Sequence, residues 1–370
     1  MARRHPDPAP GGGLESLPGE DGEGEDLLAD LAAIDASADC SFAVDAAGAG
    51  VRIDRFLAQQ LPQVSRSRIQ QWIEAGAVQR NGSPARSRDT LIAGDRIGVQ
   101  PIAAPQSLAF VPEAMPLAVV WEDETLIILD KPVGLVVHPG AGNWHGTLLN
   151  GLLAYDPKLA QVPRAGIVHR LDAGTSGLLV VARTPAAQLD LVRQLQARSV
   201  LRQYWALVAG AMAPSVTIDA PIARDPRNPL RFCVSRAARA RPARTFARTL
   251  AQWKSAGSGA VVSWIACRLD TGRTHQIRVH LESIGHPLLG DPVYRRRLPA
   301  TLSSHIGLGH QALHACGLAL THPLRGARMH WTSAPPEDMR ALMLALGARA
   351  SQLQASLQEF AAADALATES

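Results

Sequence analysis

Between residues 118 and 269 the apolar side chains come in short, strand-length blocks, with one clear helical repeat among them. Ala118–Trp121 and Thr125–Leu129 flank the acidic turn Glu122-Asp123-Glu124, and Gly177–Ala182 forms a third block. Leu201–Val208 and Ala260–Leu269 alternate as strands do. The helix runs from Pro185 to Arg198, with proline at its start and Leu189, Val192 and Leu195 spaced to face a core. Strands following one another with so few helices between them argue against a doubly wound parallel sheet. They predict an α+β fold built on a mixed, largely antiparallel sheet.

A smaller unit precedes this region. Ile53, Phe56, Leu57 and Leu61 share one helical face that ends before Pro62. A second helix starts after Ser65, a natural N-cap, turns Ile69, Trp72 and Ile73 inward and stops at Gly76. Ala77–Arg80 and Arg96–Val99 are short strands punctuated by Asn81-Gly82 and Gly94-Asp95 turns. Residues 51–100 hold eight arginines against four acids, several of them on the second helix, which carries Arg66 and Arg68, and the first turn. A helix–helix–hairpin with this arginine distribution resembles the alpha-L RNA-binding motif.

The net charge of +4 conceals a division. Residues 1–40 carry ten acids against Arg3 and Arg4, leaving 35 basic and 23 acidic side chains in the rest of the chain. The body is therefore basic, which suits a polyanion partner. No apolar run approaches the roughly 18 residues that span a bilayer. The start of the chain is Gly, Pro and acid, not an apolar leader, and Cys40, Cys233, Cys267 and Cys316 form no Cys-x-x-Cys pair. A cytoplasmic protein without membrane contact, disulfide framework or zinc cluster is expected. The expected division is a disordered acidic tail over 1–47, an RNA-binding module over 48–100, a proline-bearing linker over 101–116, a catalytic domain over 117–345 and a helical, polar C-terminal tail over 346–370.

Four strings concentrate the polar chemistry. Gly166–Gly177 places Asp172 between apolar segments beside a Gly/Thr/Ser loop. A carboxylate there reads as nucleophile, base or metal ligand, and equally as a turn-former capped by Thr175 and Ser176. Leu269–His280 contains a turn, a helix start at Thr274 and an Arg278 adjacent to the buried stripe Ile277, Leu281 and Ile284, where its charge needs a carboxylate. His275 and His280 are five residues apart, a poor spacing for joint metal ligation on a helix. Leu129–Gly140 reads as strand, Pro–Gly turn and strand, and Arg202–Gly210 carries Tyr204, whose simplest reading is sheet packing.

In this order, Asp-Lys-Pro-x-Gly-Leu-x-Val-His-Pro, His-Arg-Leu-Asp-x-x-Thr-Ser-Gly-Leu, the Tyr204 strand and Gly-Arg-Thr-His-Gln-Ile-Arg-Val-His resemble the RluA family of ribosomal large-subunit pseudouridine synthases. The strings at 137–143 and 162–166 are most similar to its RluD type. The resemblance covers residues 50 to 340 and implies a pseudouridine synthase fold converting uridine to pseudouridine without cofactor or metal. It implies Asp172 as the catalytic carboxylate, Arg278 as its partner, Tyr204 packed against the base and Arg170 entering the RNA as the uridine leaves it. His169, Lys131 and Arg273 would be supports or phosphate contacts. The implied partner is large-subunit (23S) ribosomal RNA, with several uridines of one stem-loop as targets of a monomeric enzyme. Competing readings are the same chemistry at other 23S positions or on transfer RNA, a non-catalytic ribosome-associated RNA-binding protein, and a carboxylate-dependent glycosidic hydrolase, whose second carboxylate would be Asp270.

Overall fold

The computed structural model describes residues 39–62, 64, 66–102, 109–140, 142–228, 231–255, 259–296, 298, 302 and 307–366. The expected acidic tail up to residue 38 and the Ser65 cap lie outside these residues. The chain divides at Ala109 and Phe110 into two compact units.

The first unit contains β1 (Cys40–Ala43), α1 (Ile53–Gln60), α2 (Arg66–Glu74), β2 (Val78–Arg80), β3 (Ser83–Pro84) and β4 (Arg96–Val99). The helices bury Ile53, Phe56 and Leu57 from α1 and Ile69, Trp72 and Ile73 from α2, the faces that their spacing predicts. Asn81 and Gly82 take φ of 50° and 80°, which suits the tight turn between β2 and β3. The sheet order is β1-β4-β2-β3, with every pair antiparallel. Here the expected boundary at residue 48 needs correction. The edge of β4 not taken by β2 is taken by β1, and Cys40 and Phe42 pack against the unit's core. The expected linker is also tied down where it is described. The Ile102 carbonyl accepts from Trp72 Nε1 at 2.9 Å, and the Val111 carbonyl accepts from Asn150 Nδ2 at 2.8 Å.

The second unit opens with β5 (Val119–Glu122), β6 (Leu126–Lys131), α3 (Leu148–Tyr155), β7 (Ser176–Ala182) and α4 (Pro185–Gln196). There follow β8 (Leu201–Ala209), β9 (Ser215–Asp219), β10 (Ile222–Arg224), β11 (Phe232–Val234), β12 (Arg244–Lys254) and β13 (Val261–Leu269). The unit closes with α5 (Gln276–Ser283), β14 (Leu313–Thr321), β15 (Arg328–Thr332), α6 (Glu337–Leu346) and α7 (Ala350–Leu366). One sheet runs β5-β6-β7-β14-β8-β13-β12-β9, with β15 added on β14. Its pairs are antiparallel except β7 with β14, so the expected α+β class with a mixed, largely antiparallel sheet holds.

Alternation along β8 assigns its side chains to two cores. Tyr204, Ala206 and Val208 join the layer beneath α3 and α5, whereas Trp205, Leu207 and Ala209 pack with Met339 and Met343 of α6. The sheet forks at β14. Its first residues pair with Ser176 and Gly177 of β7, and from Gly317 onward the same edge pairs with β15.

Several local expectations are revised. In α4 the buried positions are Ala187 and Leu191, Leu195 packs against the same core as expected, and Leu189 is 53% exposed. The Thr184 cap and Pro185 set the helix phase, and that phase turns 187 and 191 to the sheet. Residues 133–138 form turns and irregular backbone, not a second strand. The C-terminal segment is a packed helix up to residue 366, with Phe360 buried against Gly317. Helix α5 begins after His275, held at φ 56°, in place of a Thr274 cap.

Candidate active site

Cys267, Tyr204, Ala315 and Gly177 stand in one row across β13, β8, β14 and β7. Gly177 adopts φ 114°, and a Cβ there would meet the Ala315 carbonyl oxygen at 2.4 Å, so only glycine permits this approach. The loop entering β7 carries Asp172 within electrostatic reach of Tyr204. It is held from several sides. Gly134 N–H donates to the Ala173 carbonyl at 2.8 Å, Thr175 N–H to the Asp172 carbonyl at 3.0 Å, and Gln311 Nε2 to Thr175 Oγ1 at 3.0 Å.

Lys131 is 1% exposed, and its ammonium donates to the carbonyls of Pro132, Leu135 and Ala173 at 2.9, 2.9 and 3.1 Å. Of its two expected roles, support is the one this geometry allows. A buried ammonium satisfied by three carbonyls cannot reach a phosphate. His169 is likewise a brace. Its Nε2 accepts from Val180 N–H at 3.2 Å, and burial, helped by the Arg202 charge, lowers its pKa to about 3 and keeps the ring neutral. Arg273 Nε donates to the Pro242 carbonyl at 3.3 Å, tying the helix approach to the preceding loop.

Arg278 is fully buried and sits between two carboxylates. Its Nη1 reaches Asp172 Oδ2 at 2.9 Å, while Nε and Nη2 grip Asp291 at 2.8 and 3.1 Å. Asp291 Oδ1 also accepts from the backbone N–H groups of Val293 and Tyr294, both at 2.8 Å. The Arg278 guanidinium lies 5.0 Å from the centre of the Tyr294 ring, and Tyr294 Oη is 2.9 Å from His275 Nδ1. Asp172 is the open member of this assembly, with 15% of its side chain accessible.

Burial by itself favours a protonated Asp172, but the positive charge of His275, Arg278 and Arg170 outweighs it and brings the carboxyl to about 2. His275 is itself pushed down to about 4 by burial, so near neutral pH the arginines supply that charge. Tyr204 is 5% exposed, and burial raises its phenol pKa, so the hydroxyl stays protonated beside an ionised Asp172. The structure thus brings together Asp172, Arg278, Tyr204 and Arg170. Lys131 braces the Asp172 loop through the Ala173 carbonyl and His169 braces β7 through Val180, whereas Arg273 bonds the Pro242 carbonyl.

Arg66 and Arg68 belong to the first unit. Arg66 Nη2 pairs with Asp54 at 2.7 Å, and Arg68 Nη2 donates to the Ile102 carbonyl at 2.5 Å. Asp54 has no exposed side-chain surface and also receives Arg52 and Gln70, whereas Arg52 and Arg66 remain half-exposed.

Sequence reasoning missed Asp291 and Tyr294. Their signal is Gly290-Asp291-Pro292, which reads as a turn, and the turn is where Asp291 accepts its two N–H groups. Asp270, the other carboxylate considered, faces Arg198 at 3.7 Å and Arg244 at 4.0 Å. Among the described residues no group of three or more His, Cys, Asp or Glu is placed to hold a metal, and no helix is long and apolar enough to cross a membrane.

Comparison with known proteins agrees with this architecture. Residues 125–283 match the RNA pseudouridylate synthase family and residues 51–97 match the S4 domain. Ribosomal large subunit pseudouridine synthase D of Nitrosomonas europaea is 51% identical over 300 residues, covering 80% of this chain and 85% of that protein. The protein of the same name from Escherichia coli K12 is 43% identical over 302 residues, covering 80% and 90%. Among solved structures, Human RNA Pseudouridylate Synthase Domain Containing 1 aligns with a TM-score of 0.50 and 25% identity over 66% of this chain and 95% of that one. The chain belongs to the RNA pseudouridine synthase family, with an S4 domain preceding the synthase domain.

Proposed function

We propose that this enzyme converts uridine to pseudouridine in large-subunit ribosomal RNA, with Asp172 as the catalytic carboxylate and several uridines of one 23S stem-loop as targets. The observation that carries the reading is the ionised, part-open Asp172, anchored by a buried Arg278 that Asp291 fixes in turn. The reaction breaks the bond between uracil N1 and ribose C1′ and forms one between C5 and C1′. The C5 proton leaves and N1 gains one, so atoms and charge balance without an external donor. Such chemistry needs an extruded base, a carboxylate beside the nucleotide and a surface that holds the detached ring.

In this reading Asp172 acts on the nucleotide as nucleophile or base, Arg278 keeps it charged and aimed, and Tyr204 packs against the base with its proton retained. Arg170, part-exposed on the Asp172 loop, occupies the space the uridine leaves. The functional units are a module from residue 40 to 100 that grips RNA backbone through Arg66 and its neighbours, and a synthase domain from 117 to 366. One chain in the cytoplasm supplies every group invoked. The hydrolase alternative is disfavoured because Asp270 is engaged by Arg198 and Arg244.

The test incubates the full chain with a large-subunit RNA transcript containing tritiated uridine. Pseudouridine is the expected product; free uracil would make it a hydrolase, and unchanged uridine a binding protein. Mapping ribosomal RNA from a deletion strain complemented by wild type or Asp172→Asn then tests the target. Loss confined to transfer RNA would overturn the ribosomal assignment.

A further inference from the structure

The segment Val162-Pro163-Arg164-Ala165-Gly166 is the most unusual stretch of described backbone. Three successive residues, Arg164, Ala165 and Gly166, take φ of 55°, 51° and 79°. Residues with a Cβ rarely enter that region, and two in a row persist only where the surroundings impose them. The surroundings here do so. A Cβ at Gly166 would lie 1.8 Å from the Ala182 carbonyl oxygen, the Pro163 carbonyl accepts from Gln188 Nε2 at 2.7 Å, and Ile167 bridges to Val181. Val162 and Ala165 are buried, so the left-handed turn sends the exposed side chain of Arg164 away from the core.

That side chain is aimed. Arg164 Nε donates to His138 Nε2 at 3.2 Å. Burial pushes the His138 pKa well below its ordinary value, and the charges of Arg164 and Arg170 push it further. The ring is therefore neutral, able to accept from Arg164, and close to two guanidinium groups. Arg170 also acts on Asp172, so one of these two cations lies near the carboxylate.

Building on the function proposed above, we infer that Arg164, oriented by His138, seats one phosphodiester of the RNA strand, beside the Arg170 that enters the RNA. Fixed guanidinium groups match a phosphate in geometry and charge, and a contact of this kind positions the strand without reading its sequence. His138 orients Arg164 without adding charge. The strained turn gives the arginine a fixed direction that a side chain on relaxed loop backbone would lack. Arg164 is thus a binding residue whose contribution appears in RNA affinity and not in the chemical step.

The experiment uses the full chain and a single-stranded or stem-loop RNA carrying the target uridine. Arg164→Asn is the main variant, because asparagine tolerates the left-handed backbone and removes the charge; Arg164→Lys keeps the charge. For Arg164→Asn the slope of log affinity against log salt should fall by about 0.7–0.9, one phosphate contact, while Arg164→Lys keeps most of it. The single-turnover rate at saturating RNA should stay within twofold of wild type.

A second arm replaces single phosphates near the uridine with neutral methylphosphonate. One position should weaken wild-type binding and leave Arg164→Asn indifferent. An unchanged salt slope in Arg164→Asn, or the same methylphosphonate profile in both proteins, would overturn the seat. A fall in saturated rate with unaltered affinity would show that Arg164 serves only the loop. If wild type binds this RNA but forms no pseudouridine, the functional reading fails, and the salt and methylphosphonate arms still decide the seat.

Discussion

The S4 unit and the synthase unit each hold an arginine–aspartate cluster, but the first leaves arginines open and the second leaves an aspartate open. In the first, Asp54 has no exposed side-chain surface, and its partners Arg52 and Arg66 are 49% and 51% exposed. In the second, Arg278 and Asp291 are buried completely and Asp172 keeps 15% of its surface. The buried member sets the direction of its partners, and the open member is left accessible. An open guanidinium suits phosphate, and an open carboxylate suits work on a nucleotide. On the proposed function, the same ion-pair chemistry gives a grip in one unit and a reactive group in the other.

The largest effect should come from the open carboxylate. Asp172→Asn is nearly isosteric and leaves Arg278 held by Asp291 through two bonds. Turnover should drop by roughly 10²–10⁴-fold or more, with RNA affinity changed by less than about threefold. Substantial turnover in the purified variant would remove Asp172 from the chemistry.

Next comes the buried guanidinium. Arg278→Met leaves Asp291 without its partner, and breaking such a buried pair destabilises by about 3–5 kcal/mol. Because Asp172 sits at about 2, below its ordinary 3.8, its ion pair stabilises the fold above pH 3.8 and that contribution is lost as the pH falls towards 2. Removing Arg278 lets burial raise the carboxyl, so the acid limb of the rate profile should move to higher pH. Arg278→Lys should restore little, since one ammonium cannot replace the two-sided fork. An acid limb identical to wild type in Arg278→Met would mean that Arg278 does not set the charge of Asp172.

Much of this arrangement is legible in the sequence, and the rest is hidden for physical reasons. The inward faces of α1 and α2 follow from periodicity, since Ile53, Phe56, Leu57, Ile69, Trp72 and Ile73 have no other way to leave water together. Asp172 and Arg278 stand out in polar strings beside apolar segments, whereas Tyr204 reads locally as sheet packing and takes its role from the family resemblance. Asp291 does not stand out. An aspartate between glycine and proline has a sufficient local role as a turn-former, and only the folded chain brings it against Arg278. The fork at β14 was equally hidden, because nothing local to Leu313–Thr321 says that one edge serves both β7 and β15. On α4 Leu195 packs against the core as its spacing predicts, but the inward turn of Ala187 was hidden because an alanine gives little apolar signal. Lys131 was ambiguous because a lysine beside proline and glycine looks exposed until three carbonyls converge on it.

In the S4 unit a smaller effect is expected from the buried partner. Burial opposes the charge of Asp54, and its bonds to Arg66 and Gln70 with the nearby Arg66 and Arg52 charges outweigh that, holding its pKa below 3.8. Its ion pairs therefore stabilise the unit above pH 3.8, and that stabilisation fades as the pH falls through the lowered value. Asp54→Asn should destabilise the unit by about 1–2 kcal/mol, discounted because both arginines face solvent. Hydrogen exchange at α1 and α2 amides should quicken, while the single-turnover rate at saturating RNA stays near wild type. Unaltered exchange would show that Asp54 does not organise this surface.

The smallest effect falls on the open guanidinium, where the contrast between the two units is sharpest. Arg66→Gln keeps a hydrogen-bonding group near Asp54, and Arg52 and Gln70 still serve that carboxylate. A half-exposed residue with such replacements should alter stability by no more than about 0.5 kcal/mol. Its loss should nevertheless register in binding. If the outer face of Arg66 contacts phosphate, the slope of log affinity against log salt falls by about 0.9 for duplex RNA, and the loss is the same for stems of different sequence. Substitution at Asp172 should do the reverse, removing turnover with the salt slope intact. Should Arg66→Gln leave the slope unchanged while lowering stability by 2 kcal/mol or more, Arg66 would be a structural partner of Asp54, and the open member of that cluster would have to be sought at Arg52.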